Sequence, residues 1–170
     1  NRERSVQSLG MGGLVANMLM SLGVSARLVC LGRHITPFME SAGLDTGYVV
    51  PWTGRMIRKT RYMASAAGRP HQQILRVDDE VIEPIDDETK TSVIMACERA
   101  MEGADAVILS DHGKGLLHES VIWNIIRMAT PRSIPVLVDP ARNIDSWKRY
   151  EGSTVIKANR HEAEAAGFGW

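Results

Sequence analysis

Short apolar segments alternate with amphipathic segments in the second half of the chain. The apolar segments predict strands over 106–109, 135–138 and 153–156, because nearly continuous apolar residues of this length are typical of strands buried on both faces of a sheet. Apolar residues at helical spacing predict a helix from Asp86 and further helices over 119–130, 144–150 and 160–166. This alternating order of strands and helices predicts an α/β fold with a mainly parallel sheet.

The first half of the chain contains two kinds of segment. A Gly-rich turn and helix over 8–23, a buried strand over 26–31 and a short helix over 37–42 resemble the second half. Strands are also predicted over 48–50, 58–64 and 72–77, but these mix polar and apolar side chains. Gly68-Arg69-Pro70 is a strong turn signal between the last two. Residues 45–80 are therefore predicted to form a small antiparallel excursion from the main sheet.

The composition excludes some classes of function. The chain has 170 residues, with 20 basic and 20 acidic side chains that give a net charge of zero. Nucleic acid is not an expected partner, because binding to its phosphate backbone relies on excess positive charge. The longest apolar runs are much shorter than the roughly 20 residues that a membrane helix needs, and no signal-peptide segment follows Asn1. We expect a cytoplasmic protein.

The two cysteines and the two chain ends complete this picture. Cys30 and Cys97 each lie within an apolar segment, so two reduced, packed thiols are the simplest interpretation in a cytosolic protein, with a single disulfide as the alternative. The sequence starts without Met and stops at Trp170, shortly after a helical pattern begins. We expect residues 1–170 to be one domain that is incomplete at both ends.

Polar side chains follow each of the three buried strands. Asp111 follows the first strand, Asp139 the second, and Lys157 and Asn159 the third. Right-handed crossovers place the carboxyl ends of parallel strands along one edge, where α/β proteins bind ligands. Carboxylates and a lysine at such an edge suit an anionic ligand with a magnesium ion. The alternative is that each Asp only caps the following helix.

Asn159 and Glu162 have the spacing of a capping box at the start of the last helix. One interpretation is therefore purely structural. In the other, Glu162 orders water around magnesium and Asn159 faces the phosphates of a nucleotide. The spacing is the same for both, so the sequence leaves both open.

Glycines and cations form two further candidate binding groups. Gly12 and Gly13 precede a helix whose free amides suit an anion or a sugar hydroxyl, although they lack the spacing of a P-loop. Strand alternation places Lys59 and Arg61 on one face of the excursion. Such a face fits a phosphorylated, hydroxyl-rich substrate. The alternative is a solvated edge hairpin that charge protects from aggregation.

Several of these segments, in this order, resemble the ribokinase-like carbohydrate kinases. Within that family the chain is most similar to the kinases that act on heptose 7-phosphate, including the kinase domains of bifunctional heptose kinase/adenylyltransferases. The segments that carry the resemblance are Lys59-Thr60-Arg61, Gln72-Gln73-Ile74-Leu75-Arg76-Val77-Asp78, Ser110-Asp111-His112-Gly113-Lys114-Gly115, Val138-Asp139-Pro140 and Asn159-Arg160-His161-Glu162-Ala163-Glu164.

The resemblance implies a three-layer α/β/α domain with a small β-lid, a homodimer built through that lid, and ATP with Mg²⁺ as phosphate donor. It implies that heptose 7-phosphate is converted to the 1,7-bisphosphate in lipopolysaccharide-precursor synthesis. The residues expected to bind nucleotide and magnesium–phosphate are Asn159, Glu162 (through water on the metal), Lys157 and Asp139. The residues expected to bind substrate are Gly12, Gly13, Asn17, Lys59, Arg61, Arg76, Asp111 and Lys114.

The chain also departs from the family pattern. The family's first strand, with an acidic sugar-binding residue, is expected before Asn1, and its Gly-Ala-Gly-Asp segment, with the catalytic base, is expected after Trp170. His112 stands where a Tyr is usual. We therefore expect the 170 residues to be inactive alone. Two other functions stay open, namely a ribokinase-like kinase for another sugar, a nucleoside or a fructose phosphate, and a non-catalytic nucleotide-binding or dimerisation module.

Overall fold

A computed structural model describes residues 5–65, 70–142 and 147–167. Within these ranges the helices are α1 (Gly12–Ser21), α2 (Thr36–Ser41), α3 (Asp87–Ala100), α4 (Glu119–Ala129) and α5 (Arg160–Ala165). The strands are β1 (Cys30–Gly32), β2 (Val49–Pro51), β3 (Arg58–Ala64), β4 (Gln72–Asp79), β5 (Val107–Ser110), β6 (Val136–Asp139) and β7 (Val155–Ile156). Single 3₁₀ turns lie at Thr130–Arg132 and Trp147–Tyr150.

Two parallel sheets and one antiparallel hairpin form in the described part of the chain. Strands β5, β6 and β7 form a parallel sheet in that order, and β1 pairs in parallel with β2. Strands β3 and β4 form the antiparallel hairpin. Helices alternating with parallel strands confirm the predicted α/β class. The finer three-layer, ribokinase-like arrangement stays an expectation.

Helices α3 and α4 begin and bury the residues that their sequences predict. The Asp86 carboxylate accepts a hydrogen bond of 2.7 Å from the Thr89 amide, which satisfies one of the free donors in the first turn of α3. The apolar faces of the two helices then pack against β5 and β6 in the main core. Its fully buried members include Val93, Val121, Ile122, Ile125 and Val138.

The prediction that the three-stranded sheet is buried on both faces is wrong for the described residues. Ile108, Leu137 and Val155 lie side by side on β5, β6 and β7, and all three are exposed. Alternation along a strand sends every second side chain to the opposite face, and α3 and α4 both pack against the same face. The continuous apolar sequence of these strands thus covers one packed and one open face.

The strand over 48–50 was predicted within the antiparallel excursion, and this prediction is also wrong. Cys30 lies opposite Val49 and Leu31 opposite Val50 in a parallel pair, and Val50 is buried in the main core. The pairing partner lies far away in sequence, so local composition does not reveal it. The antiparallel part is the β3–β4 hairpin, and the predicted strand over 26–31 contributes only Cys30–Gly32 to regular pairing.

Some predictions fall on residues outside the described ranges. Gly68 and Arg69 of the predicted turn, the first part of the predicted helix over 144–150, and both chain termini are among them. Both described cysteines are free thiols in separate apolar clusters, as the preferred interpretation expects. None of the helices in the described ranges has the length and apolar character that crossing a membrane requires.

Candidate functional site

Strands β5, β6 and β7 deliver their following residues to one edge of the sheet. The Asp111 amide donates a hydrogen bond of 2.9 Å to the Asp139 carbonyl, and the Lys157 amide donates one of 2.8 Å to the Val138 carbonyl. The Lys157 ammonium lies 3.4 Å from Asp139 Oδ1. The structure therefore brings Asp111, Asp139 and Lys157 together at the carboxyl edge, as the sequence predicts.

Asp111 is buried at this edge and makes several hydrogen bonds. Its Oδ1 accepts a 2.8 Å bond from the Gly113 amide, and its Oδ2 accepts a 2.7 Å bond from the Tyr150 hydroxyl. The same hydroxyl accepts a 3.1 Å bond from the Ala141 amide. Burial is the main cause that raises the pKa of Tyr150, so its proton stays available for donation to the carboxylate.

Arg149 adds a cation to this buried group. Its Nη2 lies 3.5 Å from Asp111 Oδ2, and it also donates a hydrogen bond to the Leu117 carbonyl. A buried carboxylate needs such donors and a nearby positive charge. Tyr150 and Arg149 were not among the predicted site residues. Their only sequence signal is an aromatic and basic pair in a short helix, which gives no indication of a partner 39 positions away.

The capping box at the start of α5 is present in full. The backbone amide of Glu162 donates a hydrogen bond of 3.0 Å to Asn159 Oδ1, and the backbone amide of Asn159 donates one of 2.8 Å to Glu162 Oε2. The pair therefore has the structural role of a helix cap. The cap does not use the second carboxylate oxygen of Glu162, Oε1, which lies 4.0 Å from Arg142 Nε. The magnesium role of Glu162 is thus compatible with the cap and stays a prediction.

The cations of the hairpin lie on one face, as alternation predicts. In the β3–β4 register Lys59 lies opposite Asp78, and Arg61 lies opposite Arg76. Arg76 makes a two-bond contact with Asp78, both bonds 2.7 Å long. That contact holds the pKa of Asp78 below its usual range. Three cations, Lys59, Arg61 and Arg76, share this side of the hairpin with two carboxylates, Asp78 and Glu80, which leaves one excess positive charge.

Glu80, just beyond β4, connects this face to the turn after β5. Its Oε1 lies 2.5 Å from the Lys59 ammonium and its Oε2 lies 2.5 Å from the Lys114 ammonium. The contact with Lys114, followed by that with Lys59, keeps the pKa of Glu80 below its usual range. Glu80 was not predicted as a site residue, because the sequence shows it only as one more charge after a strand.

Most of the predicted substrate residues line one cleft. The cleft is bounded by the hairpin, the turn after β5 and the start of α1, and its predicted lining residues are Gly12, Gly13, Lys59, Arg61, Arg76, Asp111 and Lys114. Its volume of 2870 Å³ exceeds the roughly 300–1,000 Å³ of small-molecule sites, because it continues into apolar space beside β1 and β5.

Asn17 and the predicted nucleotide residues lie elsewhere. Asn17 is exposed on α1 and does not line the cleft. Asp139, Lys157, Asn159 and Glu162 also lie outside its lining, along the neighbouring part of the sheet edge. The predicted nucleotide residues thus lie beside the cleft, and Asp111, whose amide bonds to the Asp139 carbonyl, adjoins both groups.

The sheet edge fits magnesium only as an ion shared with a ligand. In the described ranges no three His, Cys, Asp or Glu side chains are grouped closely enough to hold a metal. Magnesium that accompanies a nucleotide is typically held by one or two carboxylates, with waters and phosphate oxygens as the other ligands. Asp139 and Glu162 supply carboxylates of this kind.

In comparisons with known proteins, the chain is similar to one part of a longer protein. No protein-family model matches the chain. It is 35% identical to the bifunctional protein HldE of Trichlorobacter lovleyi over 165 residues, covering 93% of this chain and 32% of that protein. It is 36% identical to HldE of Mesorhizobium japonicum over 93% of the chain. For HldE of Caulobacter vibrioides the values are 35% identity and 98% coverage. The chain spans about a third of the length of these curated relatives, so the similarity is to one part of HldE.

Proposed function

We propose that this chain forms the substrate-binding part of a sugar-phosphate kinase, with heptose 7-phosphate as substrate and ATP with Mg²⁺ as donor. The product is heptose 1,7-bisphosphate, a precursor of lipopolysaccharide. The similarity to HldE supports an enzyme of heptose metabolism. The observation that carries the kinase assignment is the cleft, whose lining includes cations of the hairpin and of the β5 turn together with the glycines at the start of α1.

The chemistry assigns different tasks to the two groups of residues. A sugar hydroxyl attacks the γ-phosphorus of ATP, the bond to the β-phosphate oxygen breaks, and ADP leaves. Lys59, Arg61, Arg76 and Lys114 bind the phosphate that the sugar already carries, since ammonium and guanidinium groups are the usual phosphate ligands. Magnesium, when bound, neutralises charge on the transferred phosphoryl group. The hydroxyl proton passes to a general base, which the family resemblance assigns to the Asp of a Gly-Ala-Gly-Asp segment.

Asp139, Lys157, Asn159 and Glu162 are proposed to serve the donor. Asp139 and Glu162 offer carboxylates to magnesium, directly or through water. Lys157 is exposed beside Asp139, and its proposed role is to bind a nucleotide phosphate. Asn159 caps α5 by accepting the bond from the Glu162 amide, and we propose that it also faces the phosphates of the nucleotide.

A panel of sugars with ATP tests the assignment on the protein expressed from its complete gene. Turnover with heptose 7-phosphate, and weaker turnover with unphosphorylated heptose, is the expected result. If only a fructose phosphate or a nucleoside were phosphorylated, the protein would be a ribokinase-like kinase with a different substrate. No turnover with any phosphate acceptor, despite nucleotide binding, would replace the proposal with the non-catalytic module.

The outer face of the hairpin supports a homodimer as the assembly. Tyr62 lies opposite Leu75, and Val77 follows on the same face; all three are exposed. Exposed apolar residues grouped in this way are typical of protein interfaces. Light scattering on the complete protein should give twice the chain mass, and Leu75→Lys should give the monomer mass. A monomeric wild-type protein would exclude this assembly.

A further inference from the structure

Glu80 lies between the β3–β4 hairpin and the turn after β5. It follows Asp79, the last residue of β4, and alternation places it on the same side as Asp78. Lys59 lies opposite Asp78 in the register. Glu80 therefore faces the cationic side of the hairpin, whereas Asp79 forms its 2.8 Å ion pair with Arg55.

The two oxygens of Glu80 hold lysines from two different parts of the fold. Lys59 belongs to β3 and Lys114 to the turn after β5, and each ammonium lies 2.5 Å from its own oxygen. The three side chains are mostly shielded, with 20–28% of each exposed. A carboxylate that reaches two ammonium groups at once fixes the position of both relative to each other.

The backbone next to Glu80 also contacts the same turn. A Cβ placed on Gly115 would lie 2.6 Å from the Glu83 carbonyl oxygen, so only glycine allows this approach. The base of the hairpin is thus held against the β5 turn by close backbone packing in addition to the ion pairs. Small displacements of the turn would move Lys114 relative to Lys59.

Two lysines at one phosphate-binding position need help to stay there. Their ammonium groups repel each other, and each sits on a chain with four rotatable bonds, so holding both in place costs conformational entropy. A ligand that finds the side chains already ordered binds more tightly, because it does not have to order them itself. Glu80 supplies this order in the free protein.

We propose that Glu80 is a positioning residue of the phosphate-binding site, which holds Lys59 and Lys114 as a preformed pair for the phosphate of the substrate. The inference rests on the proposed function for the identity of the substrate. It does not rest on it for the binding of a phosphate group. Glu80 acts through the two lysines and does not itself contact the ligand.

Two substitutions at Glu80 separate geometry from charge. Glu80→Gln removes the charge, and Glu80→Asp keeps the charge but shortens the side chain by one methylene, so that it no longer reaches both ammonium groups. Asp79→Asn is the matched control, since it removes a neighbouring charge on the other face of β4. The probe is inorganic phosphate, titrated against the protein from the complete gene and followed by ³¹P line broadening.

The expected result is that both Glu80 variants weaken phosphate binding about tenfold, which is the scale of reordering one or two flexible side chains. The Asp79→Asn protein should bind as wild type. With an active sugar-phosphate kinase, KM for the sugar phosphate should rise in the same proportion while kcat stays unchanged. Thermal unfolding of each variant checks that it folds, and Glu80→Asp carries the test if Glu80→Gln does not fold.

If only the net charge of the site mattered, Glu80→Gln would have the opposite effect on phosphate affinity. If Glu80 only competes with the ligand for the lysines, Glu80→Gln exposes more positive charge and tightens phosphate binding, and that result would overturn the proposal. Wild-type binding by Glu80→Asp would also overturn it, because the charge alone would then suffice. The phosphate titration needs no turnover, so these outcomes are read even if the kinase assay fails and the proposed function is rejected.

Discussion

The hydroxyl of Tyr150 donates a 2.7 Å hydrogen bond to Asp111 Oδ2 while accepting one from the Ala141 amide. Both Tyr150 and Asp111 are buried, with 0% and 4% of their surface exposed. One phenolic oxygen therefore ties together the ends of β5 and β6 and the 3₁₀ turn at Trp147–Tyr150. These hydrogen bonds help to hold the carboxyl edge of the sheet in its observed conformation.

Tyr150→Phe should lower the free energy of unfolding by about 1–3 kcal/mol, because it removes the hydroxyl donor from Asp111 Oδ2 and leaves the buried Ala141 amide without its acceptor. Urea denaturation measures the change. Tyr62→Phe is the control, since Tyr62 is exposed on the hairpin and its hydroxyl should contribute little. Equal effects of the two substitutions would show that the buried bonds add no stability.

Gly115 and Gly103 form a matched pair of glycines with positive φ. Gly115 has φ of 93° and Gly103 of 64°, so alanine is strained at both, by about 1 kcal/mol or more. Only at Gly115 would the new Cβ meet a backbone atom, the Glu83 carbonyl oxygen at 2.6 Å; at Gly103 nothing lies within 4 Å.

Gly115→Ala should therefore destabilise the protein by at least about 1 kcal/mol more than Gly103→Ala does, since the extra contact forces a backbone shift. Chemical denaturation of the two variants gives the difference directly. If both lose the same stability, the approach of the β5 turn to the base of the hairpin is looser than 2.6 Å.

The sequence predicted the helices better than the strand pairing. Asp86 and the apolar residues of α3 and α4 are local signals, and both helices begin where these signals place them. The partner of Val49 is Cys30, and nothing near Val49 indicates it. Pairing between distant strands depends on the whole sheet, so local composition assigned β2 to the wrong layer.

The candidate site, like the fold, could be predicted only in part from the sequence. Residues placed directly after strands, such as Asp111 and Asp139, lie together because parallel strands end at one edge. Glu80 and Tyr150 act through partners 34 and 39 positions away, and their own sequence surroundings contain no motif. Charge and burial on the folded chain reveal them, whereas spacing along the sequence does not.

Cys30 and Cys97 should be nearly inert thiols in the native protein. Burial raises the pKa of Cys30 to about 11 and that of Cys97 to about 12, from a usual 9.0. Since only the thiolate reacts with alkylating reagents, iodoacetamide at pH 8 should modify both much more slowly than in urea-unfolded protein. The stability that these neutral thiols contribute is present below pH 9 and is lost as the pH rises towards their folded values. Rapid modification of Cys97 without denaturant would contradict its burial.

The ion pairs of Glu80 should disappear in acid. Lys114 and Lys59 lower the pKa of Glu80, so its contribution to stability is complete above the pKa of an unfolded glutamate and is lost as the pH falls through the lowered folded value. Wild type should exceed Glu80→Gln in midpoint temperature at pH 7, and the two should converge in acid. A difference that persists unchanged at low pH would mean that the carboxylate charge is not what stabilises this contact.

Glu162→Gln separates the two roles of the capping box. Glutamine still accepts the bond from the Asn159 amide, so the thermal midpoint should hardly change. The loss of charge should raise the Mg²⁺ concentration for half-maximal kinase activity about tenfold. Glu164→Gln is the control, because Glu164 lies on the same helix and pairs with Arg160 at 2.7 Å. Unchanged magnesium dependence in Glu162→Gln, measured on the complete protein, would leave Asn159 and Glu162 with the helix cap as their whole function.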